Sequence, residues 1–195
     1  MFGIESFKPW VGDLYYISHP KLLILGESRW DEEFTDTKII EFQIDGGHFR
    51  AHTNFVQAVL GKRHWEEGYD PIAFGRKSIF YNYNTSFYPG RARIPPEHGE
   101  RAEAQNPRML RKMLEMYKPT HCIVWGIANW RSVAVEGAKW GPDQAMPGLA
   151  DGWPYRRITI GSHTTLFSHV KHPSAGFSFA RWSAVLSTFL MLISA

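Results

Sequence analysis

Short apolar runs alternate with amphipathic stretches along this chain, and this alternation is the feature that most constrains its fold. Buried strands of a parallel sheet are continuous apolar or β-branched runs, while surface helices place apolar residues three and four positions apart. Because helical segments separate most of the runs, the sequence predicts an α/β fold, a three-layer αβα sandwich around a central, mostly parallel sheet of four or five strands. The predicted strands are residues 21–25, 78–83, 121–125, 156–160 and 164–170.

Four segments have helical spacing of their apolar residues. Pro119 closes the second of them, and Ser178 is a suitable N-cap for the last. No repeat or low-complexity linker divides the 195 residues, so a single domain over residues 1–195 is expected. The predicted helices are residues 54–60, 105–117, 128–135 and 178–193.

Composition limits the classes of partner only weakly. The formal net charge of +3 permits a polyanionic partner without identifying one. Aromatic residues make up 15% of the chain, which suits either a core or a protein that stacks on bases. The most basic segment, residues 91–112, is typical of a solvated loop and helix face as well as of a nucleic-acid contact.

Cys122 is the only cysteine. An intrachain disulfide, a cysteine-based zinc site and a four-cysteine iron–sulfur cluster are therefore excluded. Its apolar neighbours indicate a buried packing residue. The chain begins without a basic-then-apolar leader and has no apolar run of about 18 residues, so we expect a cytoplasmic protein that does not enter a membrane.

Polar residues follow the predicted parallel strands at the point where each strand ends. Gly26, Glu27 and Ser28 follow the first strand, Asn82 lies in the second, and His172 follows the last. Ligands of open α/β sheets bind beyond the carboxyl ends of the strands, and a glycine there lets the backbone approach a ligand closely. We therefore expect these residues to line one cleft.

Each of these side chains has a chemical and a purely structural interpretation. Asn82 offers the donor and acceptor needed to recognise an imide edge, or else forms an Asx turn. Glu27 orients a water or caps a turn. His172, in a His-Pro-Ser sequence, donates to a developing oxyanion, moves a proton, or is a structural histidine. His163, His169 and His172 lack helical metal-ligand spacing, so no metal site is expected.

Four segments, taken in order, resemble the motifs of the uracil-DNA glycosylase superfamily, over roughly residues 20 to 180. The first resembles the motif after the first strand, the second the strand that ends in Asn, the third the inner strand before a short helix, and the fourth the His-Pro-Ser motif. They are Leu23-Ile24-Leu25-Gly26-Glu27-Ser28, Ile79-Phe80-Tyr81-Asn82 with Pro89, Pro119-Thr120-His121-Cys122-Ile123-Val124-Trp125-Gly126, and His169-Val170-Lys171-His172-Pro173-Ser174.

The resemblance implies a DNA glycosylase that hydrolyses the N-glycosidic bond of uracil or another deaminated base in DNA. Such an enzyme works as a monomer, extrudes the target nucleotide from DNA, and uses no metal or other cofactor. His172 would then stabilise the negative charge on the departing base. Glu27 and Ser28 would occupy the catalytic positions of the first motif and hold a water or the base.

The resemblance also assigns substrate contacts. Asn82 would recognise the base edge, and Phe49 would stack on the base, with Phe42 as the second choice. Further substrate-binding residues would be Gly26, Arg29 and Ser174. The loop that presses into the DNA minor groove would consist of Ala175, Gly176 and Phe177.

The first motif departs from the family pattern. Ser28 stands where the family has a water-activating Asp or Asn, and Arg29 and Trp30 replace Pro and a Gly or Tyr. Ser28 therefore favours an alternative, a superfamily member that binds nucleic acid or a nucleobase without cleavage. A third possibility is an unrelated hydrolase using Ser28 and His172, but Trp30 occupies the second glycine position of a Gly-x-Ser-x-Gly elbow.

Overall fold

The strands and helices described here come from a computed structural model of the chain. It describes residues 9–29, 40–41, 49–87 and 96–193, and gives only the backbone for residues 27–29, 84–87 and 96–105. The strands are β1 (Trp10–Val11), β2 (Leu22–Arg29), β3 (Ser78–Phe87), β4 (His121–Trp125), β5 (Lys139–Trp140), β6 (Gln144–Ala145), β7 (Pro154–Ile160) and β8 (His163–Val170). A 3₁₀ turn covers Tyr15–Ile17, and the helices are α1 (Arg50–Leu60), α2 (Pro71–Arg76), α3 (Pro96–Tyr117), α4 (Ile127–Ser132) and α5 (Phe179–Leu190).

These strands form one sheet in the order β1-β3-β2-β4-β8-β7-β5, with β6 also paired to β7. The four central strands, β3, β2, β4 and β8, are parallel to one another. The edge strands β1, β5, β6 and β7 pair antiparallel with their neighbours. The chain passes from β2 to one side to form β3, and to the other side to form β4. This reversal is a topological switch point, which in such sheets marks the ligand crevice.

Alternating side chains of the central strands enter two separate hydrophobic clusters. On β2, Leu22 and Ile24 face the cluster that also contains side chains of α1 and α5. Leu23 and Leu25 face the cluster that contains side chains of α3 and α4. Because β2 and β4 are covered on both faces, they contain the continuous apolar runs 22–25 and 122–125, which made them recognisable in the sequence.

The α/β fold and its three layers are confirmed. The sheet has eight strands in the described part of the chain, whereas four or five were expected. The three additional strands β1, β5 and β6 were not predicted because each has two residues, too few to show a strand pattern. Ser178 is confirmed as the N-cap of α5, and its side chain accepts a hydrogen bond from the Arg181 N–H. Cys122 is buried, as expected, and burial raises the pKa of its thiol.

Candidate functional site

The candidate site lies at the carboxyl ends of the parallel strands, on the face covered by α1 and α5. Gly26 of β2 lies opposite Asn82 of β3. On the other side of β2, pairing with β4 runs only as far as Leu25 and Val124. The strands β2 and β4 therefore separate at Gly26, where the connections reverse direction.

Asn82 packs directly over Gly26. A Cβ atom built on Gly26 would lie 2.3 Å from Asn82 Oδ1 and 3.0 Å from Phe80 Cζ. Asn82 is only 4% exposed, so its carboxamide has little room to move away. The close packing of the Asn82 side chain thus requires a glycine at position 26. The structure therefore brings together the predicted base-recognising asparagine and the predicted glycine of close backbone approach.

His172 follows β8, and its half-buried ring is held by the next residues of the same loop. Its Nδ1 lies 2.7 Å from Ser174 Oγ and accepts a hydrogen bond from the Ser174 N–H at 3.3 Å. Because a backbone N–H can only donate, Nδ1 is the acceptor and Nε2 carries the proton of the neutral ring. Burial lowers the pKa of His172, which favours that neutral form. The predicted substrate residue Ser174 therefore orients the predicted catalytic histidine.

Two aromatic rings connect His172 to the Gly26–Asn82 pair. The Trp125 ring lies 6.0 Å from the His172 ring and 5.3 Å from the Phe80 ring, edge-on to both. Phe80 in turn lies against Gly26. The structure thus places His172, Gly26 and Asn82 along one face of the sheet, with an aromatic floor between them.

Helix α1 supports this floor. Phe49, the predicted stacking residue, is the half-buried N-cap of α1, and its carbonyl accepts from the Thr53 N–H at 2.9 Å. One turn into the helix, Asn54 Nδ2 donates to the carbonyl oxygen of Pro173 at 2.9 Å. The helix that Phe49 caps is therefore hydrogen-bonded directly to the loop that carries His172.

The predicted DNA-contacting loop has an inner and an outer part. The Ala175 N–H donates to the His172 carbonyl oxygen at 3.0 Å, and Gly176 has a φ of 59°, which favours glycine. Ser174, Ala175 and Gly176 are exposed. Phe177 instead stacks on Trp182 of α5, with ring centroids 5.7 Å apart. The exposed tip of the loop is therefore residues 174–176, and Phe177 anchors its base.

The described side chains do not include every predicted site residue. The backbone of β2 continues through Glu27, Ser28 and Arg29. Ser28 pairs with Asn84 of β3, and the register between the two strands is irregular between Ser28 and Arg29. Their side chains lie outside the described part of the structure, as does Phe42. The expected proximity of the Glu27 carboxylate to the His172 imidazole therefore stays a prediction.

Several buried polar atoms near the carboxyl ends have no hydrogen-bond partner, and sequence reasoning did not single them out. His52 of α1 is 2% exposed and lies edge-on to Phe74, Phe80 and Trp125, and burial lowers its pKa to about 3. Both of its ring nitrogens and Trp125 Nε1 have no partner among the described residues. Such atoms are unusual in folded proteins and indicate a place where a water or a ligand supplies the missing partner.

His169 is a second unusual histidine, the last but one residue of β8. It stacks on Trp130 at 4.8 Å between centroids and packs against Trp153 at 4.6 Å. Burial, and next the charge of Arg156, lower its pKa to about 4. Its Nδ1 has no partner among the described residues. Two indoles therefore hold this imidazole in its neutral form, just before the loop of His172.

The described residues contain no group of three His, Cys, Asp or Glu side chains that could hold a metal ion. In the same part of the chain, no helix is both long and apolar enough to cross a membrane. Comparison of the sequence with protein-family models and with curated proteins finds no significant match. The geometry of the site is therefore the basis on which a function can be assigned.

Proposed function

We propose that this protein is a DNA glycosylase that hydrolyses the N-glycosidic bond of uracil or another deaminated base in DNA. One observation carries the proposal. The Ser174 N–H makes His172 Nδ1 an acceptor, so that His172 Nε2 is a proton donor on the sheet face that also carries Asn82. A donor on the same sheet face as an amide that can pair with an imide edge suits a base whose departure leaves negative charge on a carbonyl oxygen.

The proposed chemistry needs no group beyond the protein and water. As the bond between the sugar C1′ and the base nitrogen breaks, its electron pair leaves with the base, and His172 Nε2–H donates a hydrogen bond to the base oxygen that gains charge. Asn82 holds the Watson–Crick edge of the extruded base. In the orientation that points its oxygen at the imide N–H and its NH2 group at the carbonyl oxygen, the amide of Asn82 matches an imide and not the edge of cytosine.

Binding without cleavage is the second candidate. The observation that favours it is Ser28, which is no general base at neutral pH and stands at the water-activating position of the first motif. Under this alternative the same cleft recognises a base in nucleic acid and releases it unchanged. We propose in either case that the protein acts as a monomer in the cytoplasm. The single buried cysteine, which leaves no pair for a disulfide, is compatible with a reducing compartment.

A cleavage assay separates these candidates. Single- and double-stranded oligonucleotides that carry uracil, hypoxanthine or xanthine are incubated with the protein and then treated with alkali, which breaks the strand at abasic sites. We expect breaks at one of these bases, and a loss of about 10²- to 10⁴-fold in rate in His172→Ala.

His163→Ala is the matched control, because His163 begins the strand that His172 follows and lies at the opposite end of the sheet. It should retain the wild-type rate. Binding without strand breaks would support the second candidate, whereas neither binding nor breaks would contradict both. Equal loss of rate in the two histidine variants would contradict the assigned role of His172.

A further inference from the structure

Asn129 is a buried polar residue with a hydrogen-bond partner for only one of its two side-chain polar atoms among the described residues. It is 2% exposed, and its Nδ2 donates to the carbonyl oxygen of Gly26 at 3.2 Å. Because that oxygen can only accept, the orientation of the amide is fixed and Oδ1 is the atom on the other side. Among the described residues, this Oδ1 has no hydrogen-bond partner.

The position of Asn129 is as informative as its missing partner. It lies in α4, directly after β4, and reaches across to Gly26, the first residue of β2 beyond the pairing with β4. The Asn129–Gly26 bond thus joins α4 to β2 where β2 and β4 separate, at the topological switch point, beside which ligands of such sheets bind. Gly26 is contacted by two amides, from Asn82 and from Asn129.

The hydrogen bond to Gly26, where β2 separates from β4, accounts for the Nδ2 atom of Asn129. It does not account for Oδ1, which has no partner among the described residues. A buried acceptor without a donor is unfavourable, and proteins satisfy such atoms with ordered water or with a ligand. An apolar residue in this place would leave the Gly26 carbonyl oxygen without its donor, so the amide is needed for Nδ2. The buried Oδ1 is left for a hydrogen-bond donor that the described residues do not supply.

We propose that Asn129 Oδ1 binds a water molecule in the crevice between β2 and β4, and that this water is the nucleophile of the hydrolysis. The second half of this inference rests on the proposed function. Glycosidic hydrolysis passes through an oxocarbenium-like transition state, so a weak nucleophile that is well oriented is sufficient. A neutral amide oxygen orients a water without deprotonating it, which suits a first motif that has Ser28 in place of a carboxylate.

The reaction balances without a protein base. The water oxygen forms a bond to the sugar C1′ as the bond from C1′ to the base nitrogen breaks, and the bonding electrons leave with the base. One water proton passes through solvent to the departing base, and Asn129 takes no proton. Asn129 therefore contacts the reacting water and acts on the rate of the chemical step rather than on base recognition.

Two variants of Asn129 test this role. Asn129→Leu has similar volume and no polar atom, so we expect kcat to fall about 10- to 100-fold while KM changes little. Asn129→Asp keeps an oxygen beside the water and adds an ionisable group. We expect its kcat to rise with pH as the new carboxyl group loses its proton, which a merely structural role would not produce.

Thr165→Val is the matched control. Thr165 is 1% exposed, and its Oγ1 donates to the carbonyl oxygen of Pro119 at 2.8 Å, at the opposite end of the sheet. This variant also loses a buried bond from a side chain to a carbonyl group, so its Tm should fall as well, but its kcat should stay near the wild-type value. Unchanged kcat in Asn129→Leu, or an equal loss in Thr165→Val, would overturn the catalytic role.

A high-resolution crystal structure of the wild-type protein tests the water site independently of activity. We expect a water within hydrogen-bond distance of Asn129 Oδ1, and an unoccupied Oδ1 would overturn the inference. If the wild-type protein cleaves no base, the proposed function fails and with it the nucleophile. The crystal structure then still decides whether Asn129 holds a water. If Asn129→Leu does not fold, the pH profile of Asn129→Asp and the crystal structure remain decisive.

Discussion

The two ends of the central sheet treat their buried polar groups differently. At the amino ends of the strands, His121, His163 and Thr165 are hydrogen-bonded to backbone carbonyl groups or to a neighbouring side chain. At the carboxyl ends, buried nitrogen and oxygen atoms of four residues have no partner in the described structure: His52, Trp125, Asn129 and His169. Since both ends belong to the same strands, general packing quality does not explain the difference.

The amino end shows what a histidine with a structural role looks like in this protein. His121 Nε2 donates to the carbonyl oxygen of Leu192 at 3.0 Å, and its Nδ1 lies 2.9 Å from Thr120 Oγ1. His163 Nε2 donates to the carbonyl oxygen of Pro119 at 2.8 Å. Both rings thus connect separate segments of the chain by hydrogen bonds, and their partners are groups of the protein itself.

The carboxyl end lacks this internal satisfaction. His52 is as buried as His121, and yet neither of its nitrogens has a partner among the described residues. An unsatisfied buried donor or acceptor typically costs about 1–3 kcal/mol. Unpartnered buried polar atoms thus cluster at the end where the sheet topology places a ligand crevice, and a water or ligand that supplies the missing partners removes this cost.

The most disruptive test of this contrast places a methyl group on Gly26. In Gly26→Ala the new Cβ would meet Asn82 Oδ1 at 2.3 Å and displace the amide, so we expect binding of the deaminated base to weaken by about tenfold or more. Binding is measured by titrating labelled oligonucleotides. Gly141→Ala is the control, because the nearest non-neighbouring atom to its Cβ lies at an ordinary 3.4 Å. Equal binding by both variants would show that the packing of Asn82 on Gly26 does not contribute to binding.

Acid unfolding tests the burial of His52 at the same end of the sheet. The pKa of His52 is about 3 in the folded protein and about 6.5 in the unfolded chain, so protons favour the unfolded state below pH 6.5. Its contribution is fully present above pH 6.5 and decreases by about 1.4 kcal/mol for each pH unit below that value, or about 2 kcal/mol by pH 5. Urea denaturation at pH 7 and pH 5 measures this loss.

His52→Leu isolates that contribution. Leucine has a similar volume and no unpartnered nitrogens, so we expect the variant to be at least as stable as the wild-type protein at pH 7. It should lose less free energy of unfolding between pH 7 and pH 5, with the dependence due to His169 retained. A variant with the full wild-type acid sensitivity would show that His52 is not the buried neutral group described here.

The smallest effect concerns a cap near the amino ends. The Asp70 side chain accepts from the Ala73 N–H at 2.8 Å and caps α2, which leads into β3. Asp70→Ala should lower the free energy of unfolding by about 1 kcal/mol and leave oligonucleotide binding unchanged. A binding defect in this variant would contradict the assignment of binding to the carboxyl end of the sheet alone.

The sequence predicted the parts of this fold that depend on local pattern. The buried strands β2 and β4 had continuous apolar runs. Gly26 and His172 were recognisable as candidates because they follow predicted strands, although Gly26 lies inside β2, which continues to Arg29. Asn129 and His52 were not recognisable, because each lies in a helix where its residue type is ordinary. Their missing partners arise only from tertiary packing, with Asn129 fixed by Gly26 and His52 enclosed by aromatic rings.

The bond between Asn54 Nδ2 and the Pro173 carbonyl oxygen has a kinetic consequence. It joins residues 119 positions apart in the chain and ties the loop after β8 to a helix, while Phe177 stacks on another helix. A loop restrained at both points has already lost much of its conformational entropy before any partner arrives. Its encounter with a macromolecule should therefore be limited by diffusion and orientation rather than by ordering of the loop.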